Sequence, residues 1–178
     1  MDAIEALTTR RSIRSYTDQV PTDEQIDLVV KAMQNAPGAR PVFLTIVTDK
    51  DLIAEMDEAV YNNMISQEGF GKQRASMPGY RPFYGAPVVI VISGPAGNPM
   101  AAPNAACACT AGCVAATALG LGSCFVMGPR AANELIPNLK EKLQVPEEYA
   151  PFCGLLLGYT DDPEKFKFVV EEPAPVRI

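Results

Sequence analysis

Histidine and tryptophan are both absent from this chain of 178 residues. Without histidine, the chain cannot form a Ser–His or Cys–His pair for nucleophilic catalysis, or any metal site that uses imidazole. No apolar run reaches the roughly 18 residues that a membrane-spanning helix needs. Any redox or acid–base chemistry must therefore come from a cofactor, from carboxylates, tyrosine or lysine, or from solvent.

Positive charge is also scarce, because 15 Lys and Arg residues stand against 21 Asp and Glu residues, with a net charge of −6. A nucleic-acid-binding protein would need a basic stripe, which this composition does not favour. The five cysteines are an odd number, and the acidic residues 1–5 lack a signal-peptide pattern. Both features argue against a disulfide framework and predict a cytoplasmic protein. With 48% hydrophobic residues, a single domain over residues 1–178 is expected.

Hydrophobic periodicity and capping signals predict alternating helices and strands. Asp2 followed by Glu5 indicates a first helix over 2–10, and the capping box Thr22-Asp23-Glu24-Gln25 indicates a second that stops at Ala36-Pro37-Gly38. Three further helices are predicted. One begins after Asp49, one covers 104–120, and one covers 130–143 with a break at Pro137. The predicted strands are 42–47, 88–92, 123–127 and 152–157. The continuous apolar run 88–92 is typical of a central strand, and the apolar helix 104–120 should be buried.

Two segments lack such periodicity. Residues 66–84 combine Gly, Pro and polar residues with Phe70, Tyr80, Phe83 and Tyr84, and they are predicted to form a long mobile loop that acts as a lid. The tail, residues 161–178, contains too much proline for a helix and is predicted to run extended over a surface.

The cluster Arg10-Arg11-Ser12-Ile13-Arg14 concentrates three guanidiniums and a hydroxyl on an acidic chain. Arginine suits a phosphate because its planar fork donates two parallel hydrogen bonds, so the cluster predicts a local anion site. The alternative is a solvated charge run that closes the first helix and interacts with its dipole.

Two further motifs have structural rather than functional interpretations. Cys107, Cys109 and Cys113 suggest a metal or iron–sulfur site, but Cys107 points about 200° away from Cys109 on a helix, so buried small hydrophobes are favoured. Gly120-Leu121-Gly122 is too short for a dinucleotide fingerprint, and it follows a helix instead of opening one. It is interpreted as a helix stop with a left-handed glycine.

Five segments together resemble the nitroreductase family of FMN-dependent oxidoreductases. They are Arg10-Arg11-Ser12-Ile13-Arg14, Ala36-Pro37-Gly38-Ala39, the stretches 86–91 and 118–128, and Leu157-Gly158-Tyr159, in register over residues 2–160. The resemblance implies an α+β fold with a mixed central sheet flanked by helices. It also implies an intertwined homodimer with FMN at the subunit interface, in which the helix 104–120 lies near the dimer axis and the tail wraps around the partner.

The same resemblance implies the cofactor-binding residues. Arg10 and Arg11, helped by Ser12, would hold the FMN phosphate, and Arg14 and Arg40 would face the N1–O2 edge of the ring. The family's second flavin segment, Pro-Ser-x-x-Asn-x-Gln-Pro-Trp, is replaced here by residues 37–42, which lack its Asn, Gln and Trp. The remaining implied residues are Gly38 and Ala39 in this segment, Met127 and Gly128 beside the ring, and Lys165, Lys167 and Arg177 as candidates for a basic contact from the tail.

The implied activity is hydride transfer from NADH or NADPH through the flavin to a small acceptor such as a nitroaromatic or a quinone. Because the flavin N5 atom carries the hydride, no catalytic side chain is required. Three alternatives stay open: an enzyme of the same fold that fragments flavin, removes halogen or dehydrogenates another substrate; a non-catalytic flavin-binding regulator; and a cysteine-based metal or electron-carrier protein.

Overall fold

The computed structural model describes residues 1–38, 42–166 and 174–176. Within these ranges, seven helices and four strands follow one another along the chain. In order they are α1 (Ala3–Thr9), α2 (Asp23–Gln34), β1 (Phe43–Val47), α3 (Lys50–Ser66), α4 (Phe70–Ala75), β2 (Val88–Pro95), α5 (Ala101–Ala118), β3 (Gly122–Val126), α6 (Gly128–Leu135), α7 (Leu139–Lys142) and β4 (Tyr149–Gly158).

The strands form one sheet in the order β1-β2-β4-β3, and every neighbouring pair is antiparallel. The predicted α+β fold is therefore confirmed. The parallel component of the predicted mixed sheet is confined, over the described ranges, to an isolated bridge between Ser12 and Ser123. This bridge lays the segment after α1 along β3, which is an edge strand.

Strand β2 is central because both of its faces are apolar. Val88, Ile90 and Ile92 pack in one core with residues of α2 and α5. Val89 and Val91 pack in a second core, on the opposite face, with residues of α3, α6 and α7. All five side chains are fully buried, which confirms the prediction made from the continuous apolar run.

The predicted starts of α1 and α2 are confirmed by their caps. The Glu5 amide donates to Asp2 Oδ1 at 2.9 Å. Helix α2 has the full capping box, in which the Gln25 amide donates to Thr22 Oγ1 and the Thr22 amide donates to Gln25 Oε1. These bonds satisfy backbone donors that have no partner within the helix.

Helix α5 is buried on one side only, which refines the prediction. Cys109, Cys113 and Ala116 lie in the core, whereas Cys107 and Thr110 are exposed on the opposite side. The helix ends at Ala118, and Gly120, the predicted left-handed glycine of the helix stop, has a φ of +74°. Glycine adopts this left-handed conformation at no steric cost.

The segment 66–84 differs from the predicted loop. It contains α4, and the side chains of Tyr80 and Phe83 are 6% and 1% exposed. The predicted mobility of this segment stays a prediction.

Most of the tail, at 167–173 and 177–178, lies outside the described residues. In the part of the chain that the structure describes, no helix is both long and apolar enough to cross a membrane.

Candidate functional site

A cavity of about 390 Å³ opens where β3 passes into α6. Its wall combines the edge strand, the second half of α3, the segment that follows α4, and one residue of the amino-terminal arginine cluster. The lining residues are Arg14, Val60, Asn63, Met64, Arg74, Tyr80, Pro82, Tyr84, Cys124, Phe125, Val126, Met127, Gly128 and Ala131.

Arg14 reaches this cavity because the chain before it is fixed against β3. Arg10 caps the carboxyl end of α1 through its amide, which donates to the Ala6 carbonyl oxygen. Ser12 then bridges to Ser123, and the Ile13 amide donates to the Ser123 carbonyl oxygen at 2.8 Å. The backbone thus sets the direction of the next residue, Arg14.

The beginning of the tail contacts Arg11 and Arg14. Arg14 Nη1 donates to the carbonyl oxygen of Phe166 at 3.0 Å. Arg11 forms an ion pair with Glu164, and Lys165 Nζ lies 5.7 Å from the centroid of the Phe166 ring. Residues 164–166, at the beginning of the tail, therefore pack against the arginine cluster.

Met127 and Gly128 form another part of the cavity wall, at the amino-terminal end of α6. The Met127 side chain is 49% exposed. A Cβ atom on Gly128 would lie 2.8 Å from Cζ of the buried Phe83 ring. The absence of a side chain at Gly128 is therefore required by Phe83 behind it, a reason that the sequence did not reveal.

An arginine in an aromatic cluster completes the wall. Arg74 Nη2 donates to the Tyr84 hydroxyl oxygen at 2.6 Å, and its guanidinium lies 5.4 Å from the Tyr80 ring centroid. The Tyr80 and Tyr84 rings meet edge to face at 5.5 Å, and the Phe166 ring packs 5.9 Å from Tyr80. Sequence reasoning missed Arg74, although its four-residue spacing from Phe70 on a helix is a signal for such stacking.

The segment that carries Tyr80 and Tyr84 is held by a buried carboxylate. Asp57, on α3, accepts the Phe83 amide at 2.7 Å and forms an ion pair with Arg81. Burial raises the pKa of the Asp57 carboxyl, and the Phe83 hydrogen bond and the Arg81 charge oppose that rise. These contacts join residues about 25 positions apart and fix the aromatic wall to the scaffold.

The cavity is positively charged on an acidic protein. Arg14 and Arg74 are both part of its lining, and no Asp or Glu is among the described residues that line it. Burial raises the pKa of the Tyr84 hydroxyl, which therefore stays neutral at physiological pH. The arrangement can bind a ligand that combines an aromatic ring with negative charge.

The structure brings together three of the predicted cofactor residues, Arg14, Met127 and Gly128, in this one cavity. Arg10, Arg11 and Ser12 lie on the segment that leads into it, outside its lining. Gly38 is exposed beyond the end of α2, and Lys165 is exposed beside Phe166. The other predicted residues, Ala39, Arg40, Lys167 and Arg177, lie outside the described residues.

The interpretation as buried small hydrophobes is confirmed for Cys109 and Cys113 and is wrong for Cys107. Cys107 is exposed, whereas Cys109, Cys113 and Cys153 are buried. Hydrogen bonds with Cys113 and Cys153, together with burial, raise the pKa of the Cys109 thiol. Among the residues that the structure describes, no group of three or more His, Cys, Asp or Glu side chains is placed to hold a metal ion.

Comparison with known proteins gives consistent similarities. The family model described as the nitroreductase family matches residues 7–159. An FMN reductase [NAD(P)H] of Bacillus subtilis is 27% identical over 90% of this chain and 67% of its own length. A protein of Archaeoglobus fulgidus, provisionally named NADH dehydrogenase/NAD(P)H nitroreductase, is 28% identical over 99% of this chain and 96% of its own length. The crystal structure of a nitroreductase with bound FMN from Bacteroides fragilis has a similar fold, with a TM-score of 0.84, 22% identity, and coverage of 100% of this chain and 98% of that chain.

Proposed function

This chain belongs to the nitroreductase family, and from that premise we propose that it is an FMN-dependent oxidoreductase. It would take hydride from NADH or NADPH and pass it to a small acceptor such as a nitroaromatic or a quinone. The names of the relatives from Bacillus subtilis and Archaeoglobus fulgidus support this reaction class. The observation that carries the proposal is the cavity in which Arg14, Met127 and Gly128 meet an aromatic wall, with no carboxylate among its described lining residues.

The residues present suit FMN. The cavity volume of about 390 Å³ falls in the range of roughly 300–1,000 Å³ that small-molecule sites occupy. Arg14, Met127 and Gly128 would hold the ring end, and Arg10 and Ser12 would reach the phosphate from the segment beside β3. Arg11 would join them by exchanging its Glu164 partner for the phosphate. Lys165 is the candidate for a basic contact from the described part of the tail.

The chemistry needs little from the side chains beyond binding and electrostatics. Bound FMN supplies hydride transfer through its N5 atom. Arg14 contributes a fixed positive charge that stabilises negative charge developing in the cavity. The rings of Tyr80, Tyr84 and Phe166 pack against one another and exclude water from the same wall. The absence of histidine is compatible with this division of roles.

We also propose that the protein is a homodimer formed through the outer face of α5. A groove of about 790 Å³ runs along this face between α5, α1 and the end of α2. Its wall is mostly small and apolar, and Ile4 and Leu7 of α1 are 69% and 54% exposed. A second copy of the same face would remove these side chains from water, which favours association.

The dimer would explain the position of the second flavin segment. Pro37 lines the α5 groove and is not part of the Arg14 cavity. Gly38, Ala39 and Arg40 would then serve the cofactor of the partner subunit, as expected for FMN at an interface. The tail beyond Phe166 would extend around the partner.

A cytoplasmic location is proposed from the cysteine chemistry. All five cysteines are free thiols in the structure. Reduced thiols are typical of the cytosol, where glutathione and thioredoxin prevent disulfide formation.

The proposed function is tested by recording the visible absorption spectrum of the bound flavin and then following its reduction and reoxidation. Purified protein supplemented with FMN and then desalted should retain visible flavin absorption, and NADH or NADPH should bleach it without oxygen. Addition of menadione or 4-nitrobenzamide should restore the oxidised spectrum. A protein that retains no flavin contradicts the proposal, and one that retains flavin but is bleached by neither nucleotide is a flavin-binding regulator.

A further inference from the structure

We propose that Arg74 makes this site selective for aromatic acceptors that carry a carboxylate or another anionic group. The inference rests on the proposed function and names the substrate class of the same cavity. Arg74 belongs to α4, outside every segment that predicts flavin contacts from the sequence.

Contacts with three aromatic residues hold the Arg74 side chain in place. Its guanidinium donates to the Tyr84 hydroxyl at 2.6 Å and lies 5.4 Å and 5.6 Å from the ring centroids of Tyr80 and Phe70. A guanidinium has five N–H donors, so it can serve a carboxylate in addition to a phenol. A positioned fork loses less conformational entropy on binding than a mobile one.

The charged side chains in the described lining of the cavity are all positive. The whole chain has a net charge of −6, yet the charged residues in this lining are Arg14 and Arg74, and the acidic residues that line it number zero within the described ranges. Positive charge in a concave site on an acidic protein concentrates anions there. Arg14 donates to the Phe166 carbonyl oxygen and is assigned to the cofactor, whereas Arg74 lies beside the aromatic rings on which an acceptor would pack.

The surface next to Arg74 is aromatic. The Tyr80 and Tyr84 rings line the cavity, and the Phe70 ring, 67% exposed, extends the apolar surface beyond it. An aromatic acceptor can pack its ring on these side chains while a carboxylate on that ring accepts hydrogen bonds from Arg74. A neutral acceptor would use the same rings but not the charge.

The experiment compares two acceptors of nearly equal shape, 4-nitrobenzoate and neutral 4-nitrobenzamide, with FMN-loaded protein and a fixed concentration of NADPH. Arg74→Gln should raise the KM for 4-nitrobenzoate about tenfold, the effect of losing one charge-assisted hydrogen bond. The variant should change kcat for both acceptors, and KM for 4-nitrobenzamide, by less than about twofold. The reason is that Arg74 binds the anionic group equally well in the ground state and in the transition state and does not bind the neutral acceptor. Lys72→Gln is the matched control, since Lys72 is on the same helix and pairs with Glu68 on the surface.

A second measurement does not depend on turnover. Benzoate and benzamide are titrated calorimetrically into the wild type and into Arg74→Gln, whose folding is checked by thermal unfolding. Benzoate should bind the wild type more tightly than benzamide, and this preference should disappear in the variant.

Three results overturn the inference. The variant changes the KM for both nitro compounds by the same factor; the wild type does not prefer benzoate; or the variant loses FMN affinity, which assigns Arg74 to the cofactor. Failure of the proposed function is distinguishable, because the wild type would then retain no FMN or reduce neither acceptor, while the titration still decides the role of Arg74.

Discussion

Gly128→Ala is a substitution at the candidate site whose effect the structure specifies closely. The new methyl carbon would lie 2.8 Å from Phe83 Cζ and 3.0 Å from Cε2. Carbon atoms in favourable contact are about 3.5–4.0 Å apart, so one of the two groups must move by at least about 0.7 Å. The substitution therefore overfills the core at the base of the candidate site.

Phe83 cannot move away easily. Its ring is 1% exposed within the second core, and its amide donates to Asp57 Oδ1 at 2.7 Å. Overpacking of this kind costs about 1–3 kcal/mol. For a chain of this length, that loss lowers the melting temperature by about 2–12 °C.

The assay is thermal and urea unfolding of Gly128→Ala, Phe83→Leu and the double variant. The leucine side chain lacks the atoms that meet the new methyl group, so the double variant should be more stable than the sum of the single effects predicts. Gly71→Ala is the control, because its methyl group would lie 3.8 Å from Met64 Cγ, an ordinary contact, within α4. The control should match or exceed the wild type, since alanine favours a helix over glycine.

Two results would refute this reasoning. One is a Gly128→Ala variant that unfolds with the wild type. The other is a double variant in which the two losses simply add.

Three other predictions follow from contacts in the structure. Gln25→Ala removes the acceptor of the Thr22 amide and the Tyr159 hydroxyl and should cost about 1–2 kcal/mol in urea unfolding; an unchanged midpoint would contradict the capping role. Burial raises the pKa of Asp57 above its ordinary value of 3.8, so the folded state retains that proton longer than the unfolded state. The stability of the wild type relative to Asp57→Asn should therefore decrease as the pH rises from below 3.8 through the raised pKa, and an increase would contradict the shift. Ala111→Glu places a charge on the outer face of α5 and should give monomers in sedimentation analysis, whereas an intact dimer would exclude this face.

Local signals in the sequence predicted the elements well. The Asp2 cap, the Thr22–Gln25 capping box and the left-handed Gly120 each depend on residues within a few positions of one another. The apolar run 88–92 predicted a central strand because burial on both faces leaves no alternation to observe. Such features can be recognised without tertiary information.

Contacts between distant residues explain what the sequence did not predict. The segment 66–84 was predicted to be a loop. Its packing depends on Asp57, which lies 24 and 26 positions from Arg81 and Phe83, and the local sequence does not show contacts over such separations. The pairing of Arg11 with Glu164 spans 153 positions, so the cluster alone could not show that one of its arginines faces the tail. The requirement for glycine at position 128 likewise depends on Phe83, a ring from another segment.

The central claim is that the Arg14 cavity binds FMN, and the most direct test is the dissociation constant of FMN measured by quenching of flavin fluorescence. The wild type should bind one FMN per subunit, and Arg14→Gln should bind it about 10- to 100-fold more weakly, because a charged hydrogen-bond donor is lost. Arg130→Gln is the matched control, since that exposed arginine pairs with Glu134 along α6 and should leave the affinity unchanged. A wild type that does not quench FMN, or an Arg14→Gln variant that binds it as tightly as the wild type, would contradict the account.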